Sequence, residues 1–576
     1  MRYDLITPFV DKNDLMANLD PNYRDPNTGQ IGRFVIPSSQ TLKYLDPNIV
    51  NFGYVVADQS GLGIGRGLVQ TYKNGFGPRV GLAYQVTPTM VLRGGYGIYY
   101  PTSAAQGIRD PLATNTFNQA RTKRPLTNTD PAGSTPLSGW PTGGGTTGTS
   151  PLTGGIVKGF GNTPSANYVP VDLKNPRIQQ WNATVERELP WQSSFRFSYI
   201  GSQQSGQIVG RDLNMIPASD NPFGTTTGDG VTPCDPLNNG DCATSPADLA
   251  RLKIPALGDY VTGFGNVGHS LTTSFQAQAQ RQAKGFMFSL AYTFLDQKSS
   301  GLDTGNSSLG GGAYNPFSPN SDYGPDSFTS RHRVVAYGIF DMPFGRGKSF
   351  LSSSSRWMDA VVGGWQASTN LFFKTGVGFT PFYVCDDCDP VVPGNVASGA
   401  LDAVGDFNAT SVRAVINGNT RAGAAPGFFW NPTAFSLPSM GANLFTQNGI
   451  AVRNAIYGPS MWGANLGIHK SFHVNERIEV QLGADVNNIF NHPMLSPDQS
   501  DGGGCEGCFA NVGSFSMSVD QSKPGTPGHQ PGILPVDITD PAQFTPNADF
   551  GHLFRSYQQE GIDSNRSIRL RGRVTF

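Results

Sequence analysis

FGPRVGLAYQV, TPT, MVLRGGYGIYY: residues 76–100 alternate with period two on both sides of a short turn. Phe76, Pro78, Val80, Leu82, Tyr84 and Val86 fall on one face, with Gly77, Arg79, Gly81, Ala83 and Gln85 on the other. After Thr87-Pro88-Thr89, a second run puts Met90, Leu92, Gly94, Tyr96, Ile98 and Tyr100 together, opposite Val91, Arg93, Gly95, Gly97 and Tyr99. The stretch predicts a hairpin of two strands of about 11 residues, roughly twice the usual globular length.

The same pattern recurs along the chain. Gln179, Trp181, Ala183, Val185 and Leu189 oppose Gln180, Asn182, Thr184, Glu186 and Glu188, and a turn at 190–193 leads into Phe195, Phe197 and Tyr199. Phe275, Ala277 and Ala279 oppose Gln276, Gln278 and Gln280, and Lys284-Gly285 turns into Phe286, Phe288, Leu290, Tyr292 and Phe294. Val335, Tyr337 and Ile339 are read as the next oily face, followed by Trp365, Ala367, Thr369, Leu371 and Phe373. Trp462, Ala464, Leu466 and Ile468 precede Ile478, Val480, Leu482, Ala484 and Val486, which oppose Glu479, Gln481, Asp485 and Asn487. In the last strand Ile568, Leu570, Gly572, Val574 and Phe576 oppose Ser567, Arg569, Arg571, Arg573 and Thr575. With one strand near 2–8, the expectation is about 12 strands.

Alternation alone leaves open which face is wet: a soluble sandwich buries the oily side, and a membrane barrel turns it to lipid. Three features favour the barrel. Strand length matches the roughly 9 to 11 residues of a tilted membrane-spanning strand. Connections alternate: those near 88, 191, 284 and 475 are tight and 343–360 is intermediate, whereas 9–75, 101–175, 204–270, 298–330, 376–460 and 489–565 are long. Aromatic residues gather near strand ends, at Tyr99, Tyr100, Trp191, Phe195, Phe286, Phe288, Trp462 and Phe472, as a headgroup-level girdle would require.

Composition excludes several other classes. The 41 basic residues are balanced by 42 acidic ones, for a net charge of -1, so no basic face points to nucleic acid. Charged residues make up only 14% of the chain, and Gly and Pro number 72 and 43. This is turn-rich but short of a disordered composition. No apolar run reaches transmembrane-helix length, and Met1-Arg2-Tyr3-Asp4-Leu5 lacks a signal-peptide core. Either the protein stays where it is made, or its first residues are missing.

In order along the chain, Phe76-Gly77-Pro78-Arg79-Val80-Gly81, Leu92-Arg93-Gly94-Gly95-Tyr96-Gly97, Arg331-His332-Arg333, Pro343-Phe344-Gly345-Arg346-Gly347, Gly363-Gly364-Trp365 and Asn487-Asn488-Ile489-Phe490-Asn491-His492-Pro493 resemble the carboxy-terminal barrel of Oar-like TonB-dependent receptors. Ile568, Leu570, Val574 and the terminal Phe576 resemble the signal read by the barrel-insertion machinery. The resemblance implies a 22-stranded barrel, a plug and a TonB-engaging segment, with outer-membrane lipid as surroundings and a small, unidentified nutrient as ligand. Residues 1–576 then correspond to the carboxy-terminal barrel part, with signal peptide, plug and first strands absent. TonB enters only through that missing amino-terminal part. A closed barrel of about 12 strands acting as a passive pore, or a secreted or surface-attached adhesive β-protein, are the alternatives.

The residues that would line a wet lumen are Arg79, Gln85, Arg93, Gln180, Asn182, Glu186, Gln276, Gln278, Gln280, Glu479, Gln481 and Asp485. Six cysteines form three close pairs in long loops: Cys234 with Cys242, Cys385 with Cys388, and Cys505 with Cys508. Local disulfides are the first expectation, with a zinc site or free thiols as the others. Acidic turns at Cys385-Asp386-Asp387-Cys388-Asp389 and Gly228-Asp229-Gly230 lack the closing Glu of a calcium loop. There is no His-Glu-x-x-His, phosphate cradle or nucleophile elbow. No metal, cofactor or enzymatic activity is expected.

Overall fold

The computed structural model describes residues 1–43, 45, 47–101, 111–113, 115, 166–214, 252–257, 261–300, 323–384, 411–436, 439–440, 447–448, 451–473, 478–496, 511–515, 544–555, 558–559 and 562–576. The strands that carry the architecture are β1 (Arg2–Ile6), β2 (Tyr72–Gly77), β3 (Arg79–Thr87), β4 (Met90–Tyr99), β5 (Arg177–Leu189), β6 (Ser193–Asp212), β7 (Val261–Ala283) and β8 (Phe286–Ser300). They continue with β9 (His332–Asp341), β10 (Trp365–Lys374), β11 (Met461–His473), β12 (Glu479–Asn487) and β13 (Ser567–Thr575). From β3 to β13 each strand pairs antiparallel with the next in the chain, giving an unbroken up-and-down meander. β1 adds to β2, with Arg2 opposite Gly77 and Ile6 opposite Tyr72.

Local chemistry explains the tight ends. Gly285, at φ +76°, completes the two-residue turn between Ala283 and Phe286, a conformation that costs glycine nothing. At the β5–β6 turn Trp191 and Gln192 both take positive φ, 63° and 57°. Large residues adopt this region at a cost of about 1–2 kcal/mol each, so the turn is held by its ladder and not by propensity. At the opposite end the strands outgrow the expectation. β6 has 20 residues and β7 has 23, so 204–212 and 261–270 are strand where the sequence reads as loop. Alternation fades there because the extensions pack against other protein instead of separating lipid from water.

That packing forms compact lobes at the long-loop end. One joins the small sheet Asn18–Arg24, Ile31–Ile36 and Tyr54–Val56 and helix α1 (Pro47–Phe52) to the β6 and β7 extensions. Phe34, Ile36, Leu45, Ile49, Ile254 and Val261 are buried in one of its cores, and Met16, Val35, Leu68, Val169 and Ile208 in the adjoining one. Asparagines clamp its distant segments: Asn18 Nδ2 donates to Leu68 O and Val169 O while its Oδ1 accepts from Val169 N. Asn115 repeats the device on Ala17 O and Asn167, and Asn214 on Ile254. On the lobe surface Asp25 accepts the backbone N–H groups of Thr28 and, next, Asn27, which hold its carboxyl below the ordinary carboxylate range. A second lobe gathers Trp430, Phe435, Ile456, Val512 and Phe550.

The central band of the sheet is built the other way round. Val80, Leu82, Phe197, Leu290, Leu482 and Leu570 are exposed, the last at 84%. No second layer covers them among the described residues, so the oily faces do not form a dry two-layer interior. One sequence reading is corrected by the register. Val334, Ala336, Gly338 and Phe340, not Val335, Tyr337 and Ile339, share the oily face, because Ala336 lies opposite Leu290 and Leu371 while Tyr337 lies opposite Ser289 and Asn370. Both parities of this strand are apolar, so alternation there had no sign. Among the described residues β3 pairs with β4 alone and β13 with β12 alone along the sheet, leaving two exposed edges and no closure.

Candidate functional site

Residues directly opposite in an antiparallel ladder point to the same side, so the register can be followed across the whole sheet. Ala83 opposite Arg93, Arg93 opposite Thr184, and Glu186 opposite Arg196 carry one face from β3 to β6. Arg196 opposite Gln278, Gln278 opposite Ala291, and Ala291 opposite Val335 carry it to β9. Val335 opposite Phe372, then Ser368 opposite Gly467, Gly467 opposite Asp485, and Asp485 opposite Arg569 complete it. By strand parity Arg79, Gln85, Arg93, Gln180, Asn182, Glu186, Gln276, Gln278, Gln280, Glu479, Gln481 and Asp485 all stand on this one face.

Two carboxylates tie neighbouring strands together on that face. Glu186 on β5 receives Arg93 Nη2 at 3.3 Å from β4 and Arg196 Nε at 2.8 Å from β6. Asp485 on β12 receives His469 Nε2 at 3.1 Å from β11 and Arg571 Nε at 2.7 Å from β13. The arginines are more than half exposed, so each pair contributes no more than about 1 kcal/mol and mainly sets where the charges stand. Between the clusters lies a hydroxyl and amide field, with Thr184 Oγ1 2.9 Å from Ser198 Oγ and Gln278 Nε2 3.4 Å from Ser289 Oγ. Arg79 lies over the Tyr99 ring at 4.3 Å. Arg569 and Arg573 have no ion-pair partner among the described residues, leaving that end of the face positive.

The sequence reading left Arg196, His469 and Arg571 out of the candidate set. Strand parity would have found both arginines, but no sequence signal shows that one carboxylate is shared by two strands. Glycine provides the room. A Cβ on Gly483 would overlap the His469 ring at Cδ2. Gly483→Ala is therefore expected to push the imidazole off Asp485 and to lower stability by about 1–3 kcal/mol, the range for overpacking. Urea-induced loss of the folded gel band measures this, and an unshifted midpoint would show that the ring adapts without loss.

Other candidates fall elsewhere. Ile568, Leu570, Val574 and Phe576 stand at the exposed edge, the first three by register on the oily face with Val486, Ala484 and Val480. Cys234, Cys242, Cys385, Cys388, Cys505 and Cys508, with both acidic turns, lie outside the described residues. Among the described residues no three His, Cys, Asp or Glu side chains converge as a metal site.

A meander of long strands with one oily face, one amide and charge-bearing face, tight turns at one end and folded lobes at the other defines an outer-membrane β-barrel protein. The chain belongs to the outer membrane beta barrel domain family, whose model matches residues 1–519. Its place is the outer membrane. No curated protein is matched by the chain. Among solved structures, the outer membrane transporter YddB from Escherichia coli is similar at 11% identity and TM-score 0.32, over 74% of this chain and 39% of that one. The ferric citrate transporter FecA without ligand gives 9% identity and TM-score 0.29, over 74% of this chain and 34% of that one. Pyoverdine-bound FpvA from Pseudomonas aeruginosa PAO1 gives 8% identity and TM-score 0.30, over 77% and 34%. The chain thus spans well under half the length of each, and the family match, not these superpositions, carries the placement.

Proposed function

We propose that this chain is the carboxy-terminal barrel part of an Oar-like TonB-dependent receptor that takes up a small nutrient. One observation carries the reading: a single register-locked sheet separates an oily face from a face bearing amides and paired charges across its full width. Such a sheet encloses water when its edges are satisfied. In hydrocarbon each unpaired backbone group costs several kcal/mol, so the edges of β3 and β13 must be paired, and in this reading further strands of the receptor pair them. The order of sequence motifs described above supports a 22-stranded whole.

In this reading the lobes and long outer loops capture the ligand, and the twelve face residues line the route inward. Energy enters from TonB through the remainder of the receptor. Ile568, Leu570, Val574 and Phe576 present the strand recognised by the insertion machinery. No side chain performs covalent chemistry, and transport is achieved by binding and displacement.

Fractionation tests the proposal. The chain is expected in detergent extracts of outer membranes, with a folded band that shifts on heating. Monodisperse protein recovered without detergent would reject it in favour of the adhesive alternative. Steady ionic conductance from the chain alone in planar bilayers would replace it with a self-closed pore.

A further inference from the structure

The connection between β9 and β10, residues 342–364, is the longest described one at the tight-turn end, and it holds helix α2 (Arg356–Val362). Ser355 caps it, its Oγ accepting from Met358 N. Asp359 turns inward and accepts from Arg346 N at 2.6 Å. Trp357 and Val361, one turn apart, and the adjacent Met358 point to solvent, exposed at 87%, 68% and 49%. Phe344, Phe350 and Leu351 of the same connection are also exposed.

Two contacts fix the side of the sheet on which the helix ends. Trp365 Nε1 donates to Val361 O at 2.8 Å, and Lys470 Nζ donates to Gly363 O. Both side chains belong to the oily face, where Trp365 pairs with Lys470 and Lys470 with Leu482. Lys470 also lies over the Trp365 and Phe472 rings. The helix is therefore folded outward, onto the rim of the surface that meets acyl chains. Arg346 and Lys348 of the same connection, and Arg356 at the start of the helix, have no carboxylate at ion-pair distance among the described residues.

We propose that residues 342–364 form a membrane foot, a short amphipathic element that inserts Trp357, Met358 and Val361 at the headgroup–acyl boundary of the inner leaflet while its basic residues meet lipid phosphates. This rests on the outer-membrane placement. Continuity with the lipid-facing surface selects phospholipid as the occupant, and the unpaired basic residues match its charge. The foot pins the rim at a fixed depth, where a turn of two or three residues would slide.

The test uses the whole chain reconstituted in phosphatidylethanolamine–phosphatidylglycerol vesicles whose acyl chains carry bromine either near the headgroup or deep. Subtracting the emission of Trp357→Phe from that of the parent isolates Trp357, and Trp181→Phe does the same for an indole on the oily face. Trp357 emission is expected to be quenched about twofold more by shallow than by deep bromine, as an indole within roughly 5–10 Å of the boundary requires, and to resist aqueous acrylamide. Acrylamide quenching of Trp357 without bromine quenching, while Trp181 is quenched by bromine, overturns the foot alone and points to a periplasmic protein on this surface. Failure of bromine to quench either indole overturns the foot and the membrane placement together.

Discussion

Asn488→Ala is expected to destabilise the folded, heat-modifiable form severely. Asn488 is fully buried, with φ +47°, where the last outer loop leaves β12. Its Nδ2 donates to His492 O and Ser564 O, both at 2.9 Å, and its Oδ1 accepts from His492 N at 3.0 Å. Its backbone N–H donates to Asn465 Oδ1 on β11. One side chain thus closes its own loop and ties it to the segment entering β13. Alanine strands two carbonyls and one N–H, each costing about 1–3 kcal/mol, and adds about 1 kcal/mol in a backbone region that disfavours a Cβ, for a total of roughly 4–10 kcal/mol. Asn488→Gly, which relieves the backbone but not the lost bonds, should recover only about 1 kcal/mol of this. Urea titration of the folded gel band measures both, and a midpoint within error of the parent for alanine would refute the clamp.

Ala336→Arg and Tyr337→Arg, adjacent on β9, should behave oppositely. The register puts Ala336 against Leu290 and Leu371 on the lipid side, and Tyr337 against Ser289 and Asn370 on the wet side. A lipid-facing arginine near the bilayer midplane costs about 2–4 kcal/mol, whereas a lumen-facing one is tolerated. Ala336→Arg should deplete the protein from outer membranes, and Tyr337→Arg should leave its level near the parent's. The reverse ranking would restore the face reading that the sequence suggested for this strand and overturn the register.

That pair also marks how far the sequence could be read. In β3, β4, β5, β7 and β12, one parity is apolar and the other carries Arg, Gln, Asn, Glu or Asp, so the twelve candidate face residues could be picked from alternation alone. In β9 Val334, Val335, Ala336, Tyr337 and Ile339 make both parities apolar, and the choice of face passed to the neighbours. The asparagine motif was visible as a string, but its work was not. Asn488 acts on Ser564, 76 residues away. The helix in 342–364 was legible only as a connection of intermediate length, since seven residues carry little periodicity.

The sequence by itself determined the alternating central parts of the strands, the alternation of tight and long connections and, for most strands, which side chains share a face. These are local properties, written by period-two spacing and turn residues along a single ribbon. Only the tertiary structure decided the sign of the face in β9, the sharing of Glu186 and Asp485 between strands, the lobes assembled from segments more than a hundred residues apart and the outward fold of α2. Each of these depends on which ribbon lies beside which, and that choice is made by cross-strand register and long-range burial, which no window of the chain contains.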